Sequence, residues 1–305
     1  MAPPKKPRVL VLTKKTSYGK FVVEEKDARI TKLIEQGSPA VTRMRRSHEA
    51  HVETVKEVEA ALDELGVSWT KRLGARGPIE GPYDLVVTVG GDGTLLATSH
   101  QLDGSTPILG VNSAPESSVG FFCAAKKGGA LKALRDALDG TMKRVSLSRM
   151  KVSLNGQVVH ARVLNEALFC HASPAATSRY ILRVTPPDGA KQDRLEEEQR
   201  SSGLWIGPAA GSTAAQRSAG GRILPLTSTR IQFVVREPYI RFGVAPKMPQ
   251  GLVDDGGTIT LLSKMREAKL FLDGHQIVHD VTIGDALTMS RSDEPLTVFG
   301  LARQR

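Results

Sequence analysis

The stretch at residues 84–96, DLVVTVGGDGTLL, constrains the fold more than any other part of the chain. Its apolar and β-branched run at 85–89 is typical of a parallel strand that is covered on both faces. The three glycines around Asp92 let the backbone turn tightly and let a phosphate approach the N–H groups. We predict that a helix begins at Leu95 and presents its positive end to this turn. The local alternative is a glycine-rich turn in which Asp92 only caps the helix.

Short apolar strands alternate with amphipathic helices around this stretch. Strands are predicted at 8–13, 67–70 and 107–112, and helices at 47–65 and 127–138. The apolar face of the first helix is predicted to consist of Val52, Val55, Val58, Leu62 and Leu65. This alternation predicts a Rossmann-like parallel α/β domain over residues 1–145. The loop after the first strand carries Lys14, Lys15 and Lys20, which either contact a ligand's phosphates or are solvated.

From about Ser146 the sequence changes to short alternating segments. Turn signals such as Asn155-Gly156 and Asp273-Gly274 separate them. The pattern predicts an antiparallel domain of β-sandwich type over residues 146–286, and we expect the segment 287–305 to return to the first domain. The charged run at 196–200 is predicted to be an exposed loop. The predicted fold class is therefore α/β followed by all-β.

Composition narrows the choice of partners. The 305 residues include 42 Lys and Arg and 32 Asp and Glu. The resulting net charge of +10 favours polyanionic partners such as nucleotides, nucleic acid or anionic membranes. Aromatic residues make up only 5 %, so a platform for stacking single-stranded nucleic acid is not expected. The cluster Arg43, Arg45 and Arg46 has no accompanying nucleic-acid motif and is interpreted as solvated surface. Nucleic acid is therefore not an expected partner. A membrane is not expected either, because no run approaches the about 18 apolar residues of a membrane span.

The cysteines and the N-terminal sequence bear on the cellular compartment. Cys123 and Cys170 lack CxxC spacing, which argues against a zinc site or a disulfide framework and for a reducing environment. The polar start MAPPKKPR has no apolar region of a signal peptide. We therefore expect a cytoplasmic protein.

GGDGT at 90–94 resembles the signature of the superfamily that contains NAD kinases, diacylglycerol kinases and sphingosine kinases. Further stretches resemble the NAD kinase family in particular, and lipid kinases lack their combination. They are GVN at 110–112 followed by VGFF at 119–122, Asn165-Glu166, the glycine-rich stretch 201–221, and FLDGHQ at 271–276. The resemblance implies ATP-dependent phosphorylation of the adenosine ribose 2′-hydroxyl of NADH and/or NAD⁺. The alternatives are a lipid or other small-molecule kinase with the same GGDGT turn, and a nucleotide sensor without catalysis.

The resemblance also implies roles for individual residues. Asp92 would accept the proton of the attacking hydroxyl, and the ATP phosphates would lie against Gly90, Gly91, Gly93 and Thr94. Mg²⁺ would bridge those phosphates, without a dedicated protein metal site. The dinucleotide would be bound by Asn112, Asn165, Glu166, Ser202, Gly211, Ser212, Thr213, Ala214 and Ser218. A homodimer or higher homo-oligomer is expected on the same ground.

Two of these assignments have structural alternatives. Asn165-Glu166 can equally form the corner of a hairpin, and 211–214 can be the start of a helix, since Ser and Thr are good N-caps. The sequence also departs from the usual NAD kinase pattern, because Ser202 replaces an aspartate and Ala215 replaces a tyrosine. These departures, together with CAA at 123–125, SPAATSRY at 173–180 and VREP at 235–238, resemble the plant-type NADH kinases. Because a carboxylate favours the cationic oxidised nicotinamide, we expect its loss at Ser202 to relax the preference for NAD⁺.

Overall fold

The computed structural model describes residues 6–75, 77–116, 118–240 and 243–301. They divide into two compact units. The first unit runs up to Val145 and resumes at Leu296, and the second unit is Ser146–Pro295. The segment that returns to the first unit therefore begins at Leu296, later than the expected residue 287. None of the helices in the described ranges is long and apolar enough to cross a membrane.

Strands alternate with helices in the first unit, and nearly all elements of the second unit are strands. The strands are β1 (Arg8–Thr13), β2 (Ser68–Leu73), β3 (Leu85–Gly90), β4 (Ile108–Asn112), β5 (Cys123–Lys126), β6 (Arg144–Leu147), β7 (Met150–Leu154), β8 (Gln157–Val163), β9 (Ala167–His171), β10 (Ser178–Thr185), β11 (Leu195–Ser201), β12 (Gly203–Pro208), β13 (Ile231–Arg236), β14 (Gln250–Val253), β15 (Thr258–Ser263), β16 (Ala268–Leu272), β17 (Ile277–Val281), β18 (Ala286–Arg291) and β19 (Leu296–Phe299). The α-helices are α1 (Ala28–Glu35), α2 (Thr42–Glu64), α3 (Asp92–Ser99), α4 (Ala130–Leu138) and α5 (Ala215–Ser218). A π-helical segment covers Gly19–Glu24, and a 3₁₀-helix covers Ala209–Thr213.

The first unit is built on a sheet with the strand order β2-β1-β3-β4-β19-β6, and β5 also pairs with β4. Strand β1 is parallel to β2 and β3, and β4 is parallel to β3 and β5, which confirms the predicted Rossmann-like arrangement. Buried valines of the sheet pack with Val58 and Leu62 of α2 and Leu134 of α4. Strand β2, which follows β1 in the chain, lies on one side of β1 in the sheet, and β3 lies on the other side. The connections therefore change direction between β1 and β3, and open α/β sheets bind ligands at the carboxyl ends of the strands at such a point.

Two helices differ from their predicted bounds. Helix α3 begins at Asp92 rather than Leu95, because the N–H groups of Thr94 and Leu95 already bond to the carbonyl oxygen of Gly91. Helix α2 begins at Thr42, so Arg43, Arg45 and Arg46 lie in its exposed first turns rather than before it.

The buried face of α2 is also rotated relative to the apolar stripe. Val52 is 37 % exposed, whereas the polar residues His51 and Thr54 are buried. Both have internal partners, since His51 Nδ1 lies 3.0 Å from Ser113 Oγ and Thr54 donates to the carbonyl oxygen of Ala50. A satisfied polar side chain can replace an apolar one at a core position, and sequence periodicity does not reveal that exchange.

The second unit consists of two six-stranded antiparallel sheets, ordered β11-β10-β15-β18-β7-β8 and β14-β13-β12-β9-β16-β17. Residues of both sheets share one hydrophobic core, among them Leu182, Leu261, Phe169 and Leu270. The predicted β-sandwich is thereby confirmed. Strand β18 belongs to the first of these sheets, which is why the return to the other unit starts only after it.

The predicted exposed loop at 196–200 is wrong, because these residues lie within β11, which pairs with β10. Glu196 forms an ion pair with Arg183 of the neighbouring strand β10, and Glu198 forms one with Lys264, which directly follows β15. Gln199 faces inward and is buried. Cross-strand charge pairs of this kind allow a highly charged segment to form an edge strand.

Candidate functional site

The glycine turn, residues 90–94, connects the carboxyl end of β3 to the first turn of α3. The N–H of Ser113 donates to the carbonyl oxygen of Gly90 at 3.0 Å, which ties the turn to the end of β4. A Cβ on Gly90 would overlap the side chain of Thr94, so only glycine allows this approach. Gly93 is exposed, with open space where a side chain would stand. The turn therefore offers backbone N–H groups and a helix N-terminus to an anion.

Asp92 is the first residue of α3 and is half-buried. One carboxylate oxygen accepts a hydrogen bond of 2.8 Å from the N–H of Phe122, in the segment between β4 and β5. This bond fixes the orientation of the carboxylate. Burial, together with the Asp92 charge, raises the pKa of the neighbouring Cys123 thiol to about 12, which disfavours the nucleophilic thiolate form.

Asn112 lies beside the glycine turn, but its side chain is engaged within its own loop. Its amide nitrogen donates to the carbonyl oxygen of Ser118 at 3.0 Å, and its amide oxygen accepts from the N–H of Ala114 at 3.1 Å. Asn112 is 4 % exposed. The structure thus gives this predicted dinucleotide ligand a role in shaping the loop near Asp92.

A cleft of about 430 Å³ opens at the carboxyl ends of β1 and β2, next to the glycine turn. Val23, Val52 and Leu73 form apolar walls, and Lys14 is among the polar lining groups. Burial lowers the pKa of Lys14, whose backbone N–H bonds to the carbonyl oxygen of Val89 at 3.1 Å. The apolar walls therefore lie among several charged lining groups, such as Lys14, Lys56 and Glu59.

His51 lines this cleft and was not predicted as a site residue. It hydrogen-bonds to the backbone carbonyl of Lys14 and to Ser113, so it links the loops that follow β1 and β4. Burial, with the nearby Lys14 and His48, lowers its pKa to about 4. The only sequence signal for this position was a histidine on the face of α2 that lies next to the loop after β1.

In the second unit, Asp273 organises the bend at 164–166 between β8 and β9. Its carboxylate accepts hydrogen bonds from the N–H groups of Leu164 at 2.7 Å, Asn165 at 2.7 Å and Glu166 at 3.0 Å. Sequence reasoning identified this Asp-Gly turn as part of a family pattern and did not assign it a contact. The bend holds Asn165 and Glu166 side by side.

Both side chains of the pair have a buried oxygen without a hydrogen-bond partner among the described residues. These atoms are Asn165 Oδ1 and Glu166 Oε2. Burial, together with the charge of Asp273, raises the pKa of Glu166 to about 8. Buried polar atoms without partners cost stability, and a ligand that supplies donors to both oxygens would remove that cost.

The 3₁₀-helix Ala209–Thr213 packs directly against this bend. A Cβ on Gly211 would overlap the carbonyl oxygen of Asn165, so the approach requires glycine. The side chain of Gln216, which is buried and was not predicted, donates to that same oxygen at 3.3 Å. The hydroxyl of Ser212 is used internally, because it donates to the Ala209 carbonyl oxygen and accepts from the N–H of Leu224.

The other predicted dinucleotide ligands differ in their positions. Thr213 and Ala214 are half-buried next to Gly211, and Ser218 is exposed at the end of α5. Ser202 precedes β12, whereas Gly211 follows it, and the six residues of that strand span about 20 Å. The structure therefore brings Asn165, Glu166 and Gly211 together and leaves Ser202 at the other end of the strand.

The donor set of the glycine turn fits a magnesium ion that is held mainly by phosphates. No group of three or more His, Cys, Asp or Glu side chains with metal-binding geometry occurs within the described ranges. Mg²⁺ keeps several waters and commonly uses one or two carboxylates plus substrate phosphates. Asp92 supplies one such carboxylate at the turn.

Comparison with known proteins gives consistent matches. The family model of the ATP-NAD kinase N-terminal domain matches residues 21–145. A probable NADH kinase of Oryza sativa subsp. japonica is 35% identical over 263 residues, which cover 81% of this chain and 80% of that protein. An NADH kinase of Arabidopsis thaliana is 35% identical over 276 residues, which cover 82% of this chain and 83% of that protein.

A solved structure has a similar fold. The crystal structure of an NAD kinase from Archaeoglobus fulgidus in complex with ATP matches with a TM-score of 0.66, over 97% of this chain and 94% of that one. The sequence identity is 23%, so this likeness shows the fold alone.

Proposed function

Because this chain belongs to the NAD kinase family, we propose which of its residues carry out the reaction of that family. The enzyme is a phosphotransferase that uses ATP to phosphorylate NAD(H) at the adenosine ribose 2′-hydroxyl. Phosphoryl transfer needs little covalent work from the protein. It needs an aligned hydroxyl, a proton acceptor, and positive charge or N–H dipoles on the phosphates.

The dinucleotide binds through its ribose hydroxyls to Asn165 and Glu166. The observation that supports this most strongly is the pair of buried oxygens, Asn165 Oδ1 and Glu166 Oε2, that have no partner in the described part of the chain. A ribose diol supplies two O–H donors, which such a pair of acceptors requires. Gly211 contributes by its close approach to Asn165, and Thr213 and Ala214 extend the same wall.

ATP binds at the glycine turn of the first unit. Its phosphates lie against the N–H groups of residues 90–94, where the N-terminus of α3 favours negative charge. Lys14, half-buried at the carboxyl end of β1, adds a cation beside the turn. The cleft of about 430 Å³ next to it has the apolar walls and the size that suit a nucleobase.

Asp92 accepts the proton of the ribose 2′-hydroxyl as that oxygen attacks the terminal phosphorus. The hydrogen bond from Phe122 holds the carboxylate for this role. Mg²⁺, when bound with ATP, neutralises the phosphate charge. Asp92 is the carboxylate of this turn that would contact it.

NADH is the proposed preferred substrate, since an NADH kinase and a probable NADH kinase are among the similar proteins and Ser202 replaces the aspartate of the usual pattern. A homodimer or higher homo-oligomer is proposed from the family resemblance. The free thiols of Cys123 and Cys170 suit the reducing cytoplasm that the sequence predicts.

A kinase assay tests these roles. Purified protein receives ATP, Mg²⁺ and either NADH or NAD⁺, and the formation of NADPH or NADP⁺ is followed. Asp92→Asn keeps an oxygen that accepts from Phe122 but is a poor proton acceptor, so kcat should fall by about 10²–10⁴-fold. Dinucleotide binding, measured by calorimetry, should be unchanged.

The matched control is Asp103→Asn, which alters a carboxylate of the same unit that accepts from Ser105. Its kcat should stay at the wild-type value. Full activity of Asp92→Asn would exclude the proton-acceptor role. Unchanged NADH affinity in Asn165→Ala would contradict the assignment of the dinucleotide site.

A further inference from the structure

Asp273 occupies a position that is unusual for a buried carboxylate. It stands in the turn between β16 and β17 with φ of +48°, and Leu272 before it pairs with Ala167. This register places Asp273 beside the bend at 164–166, more than one hundred residues away in sequence. All three N–H groups of the bend donate to its carboxylate. The backbone of Asn165 and Glu166 is therefore fixed by one side chain.

We propose that Asp273 is a positioning residue for the dinucleotide, and that its charge also controls whether Glu166 holds a proton when the ribose arrives. The proposal rests on the proposed function, in which Asn165 and Glu166 accept from the ribose hydroxyls. Asp273 acts only through the bend and through its field at Glu166.

The charges around this pair decide which carboxyl is ionised. Burial raises the pKa of Asp273 to about 6, against the effect of its three N–H donors and of Arg149. Arg149 is fully buried, and its Nε donates to the carbonyl oxygen of Glu294 at 2.5 Å. Glu294 in turn pairs with Arg162 at 2.6 Å. The three N–H donors of the bend favour the ionised form of Asp273.

The protonated form is favoured at Glu166. Burial, together with the nearby negative charge of Asp273, raises the pKa of Glu166 to about 8. In the free enzyme at pH 7 Glu166 is therefore mostly protonated. Accepting a bond from a ribose hydroxyl favours the ionised form, so binding releases a proton. Affinity should rise with pH and level off above about 8, with a slope of up to about tenfold per pH unit below that value.

The test measures the dissociation constant of NADH from pH 6 to 9.5. NADH is chemically stable on the alkaline side of this range. In Asp273→Asn the negative charge is removed, so the midpoint of the pH dependence should move down by about one unit. The affinity at the alkaline plateau should fall by about tenfold, because the charged hydrogen bonds to the bend are weakened. A purely structural role would lower the affinity without moving the midpoint.

Two further variants separate the outcomes. Glu166→Gln should abolish the pH dependence near 8. Asp285→Asn is the matched control, since Asp285 also caps a turn of this unit, through the N–H of Thr282 at 2.7 Å, and has no contact with Glu166. Its midpoint and affinity should equal those of the wild type.

The failures are distinguishable. If Glu166→Gln leaves both affinity and pH dependence unchanged, the proposed dinucleotide site fails. If Glu166→Gln behaves as expected while Asp273→Asn keeps the wild-type midpoint, the role of Asp273 is overturned. Should Asp273→Asn not fold, two variants decide. Asp273→Glu keeps the charge and tests positioning alone, so weakened binding supports the positioning role and wild-type affinity refutes it. Asp273→Ser removes the charge, so a lowered midpoint supports the effect on Glu166 and a wild-type midpoint overturns it.

Discussion

Ser202 lies outside the cluster of Asn165, Glu166 and Gly211 that is proposed to hold the ribose, and we propose that it alters the choice between NADH and NAD⁺. It is half-buried at the start of β12, and its N–H donates to the carbonyl oxygen of Arg236. The guanidinium of Arg236 lies 5.6 Å from the ring centroid of Trp205. A neutral hydroxyl at this position gives no electrostatic advantage to a cationic nicotinamide over a neutral one.

Ser202→Asp should therefore shift the preference from NADH towards NAD⁺. A partly exposed charge pair contributes about 1 kcal/mol, which corresponds to a change of about fivefold. The measurement is the ratio of kcat/KM for the two dinucleotides. Ser202→Asn is the matched control, because it adds similar volume without charge and should keep the wild-type ratio. An unchanged ratio in Ser202→Asp would refute the electrostatic explanation.

The 3₁₀-helix Ala209–Thr213 contributes shape rather than side-chain chemistry. The hydroxyl of Ser212 is satisfied internally, and Gly211 allows the helix to touch the Asn165 backbone. Gly211→Ala would force the two segments apart, at a cost of about 1–3 kcal/mol. We expect NADH affinity to fall by about one to two orders of magnitude, and the affinity for ATP to stay the same.

The control for Gly211→Ala is a glycine-to-alanine substitution in the first unit. Gly129→Ala meets its nearest neighbour, the carbonyl oxygen of Lys126, at 3.3 Å, which a small shift can relieve. Its NADH affinity should match the wild type. Calorimetric titration of both variants with NADH and ATP checks the prediction, and equal loss of both ligands in Gly211→Ala would indicate general unfolding instead.

Sequence reasoning succeeded where the determining contacts are local. The buried run before Gly90 and the turn signals such as Asn155-Gly156 specify β3, the glycine turn and the hairpins from neighbouring residues alone. It failed where distant residues decide. The charged β11 is a strand because Arg183 and Lys264 pair with it, and Asp273 reaches the bend at 164–166 from more than one hundred residues away.

At the scale of the whole molecule, the titration of Glu166 also affects the stability of the fold. A carboxyl whose pKa is raised in the folded state binds its proton more tightly there than in the unfolded chain. Its contribution to stability is complete below the unfolded value near 4.5 and is lost as pH rises through the folded value. For Glu166 that folded value is about 8. The folded protein should therefore lose stability on the alkaline side.

Glu166→Gln removes this titration, since an amide does not ionise. The melting temperature of the wild type should fall relative to that of Glu166→Gln between pH 7 and 9, by about 2–5 °C. Differential scanning fluorimetry across this range checks it, with NADH omitted so that ligand release does not contribute. Comparing the two proteins cancels other alkaline effects, such as the titration of lysines. Parallel curves over pH 7–9 would mean that Glu166 does not keep its proton in the folded enzyme, and the binding of NADH would then release none.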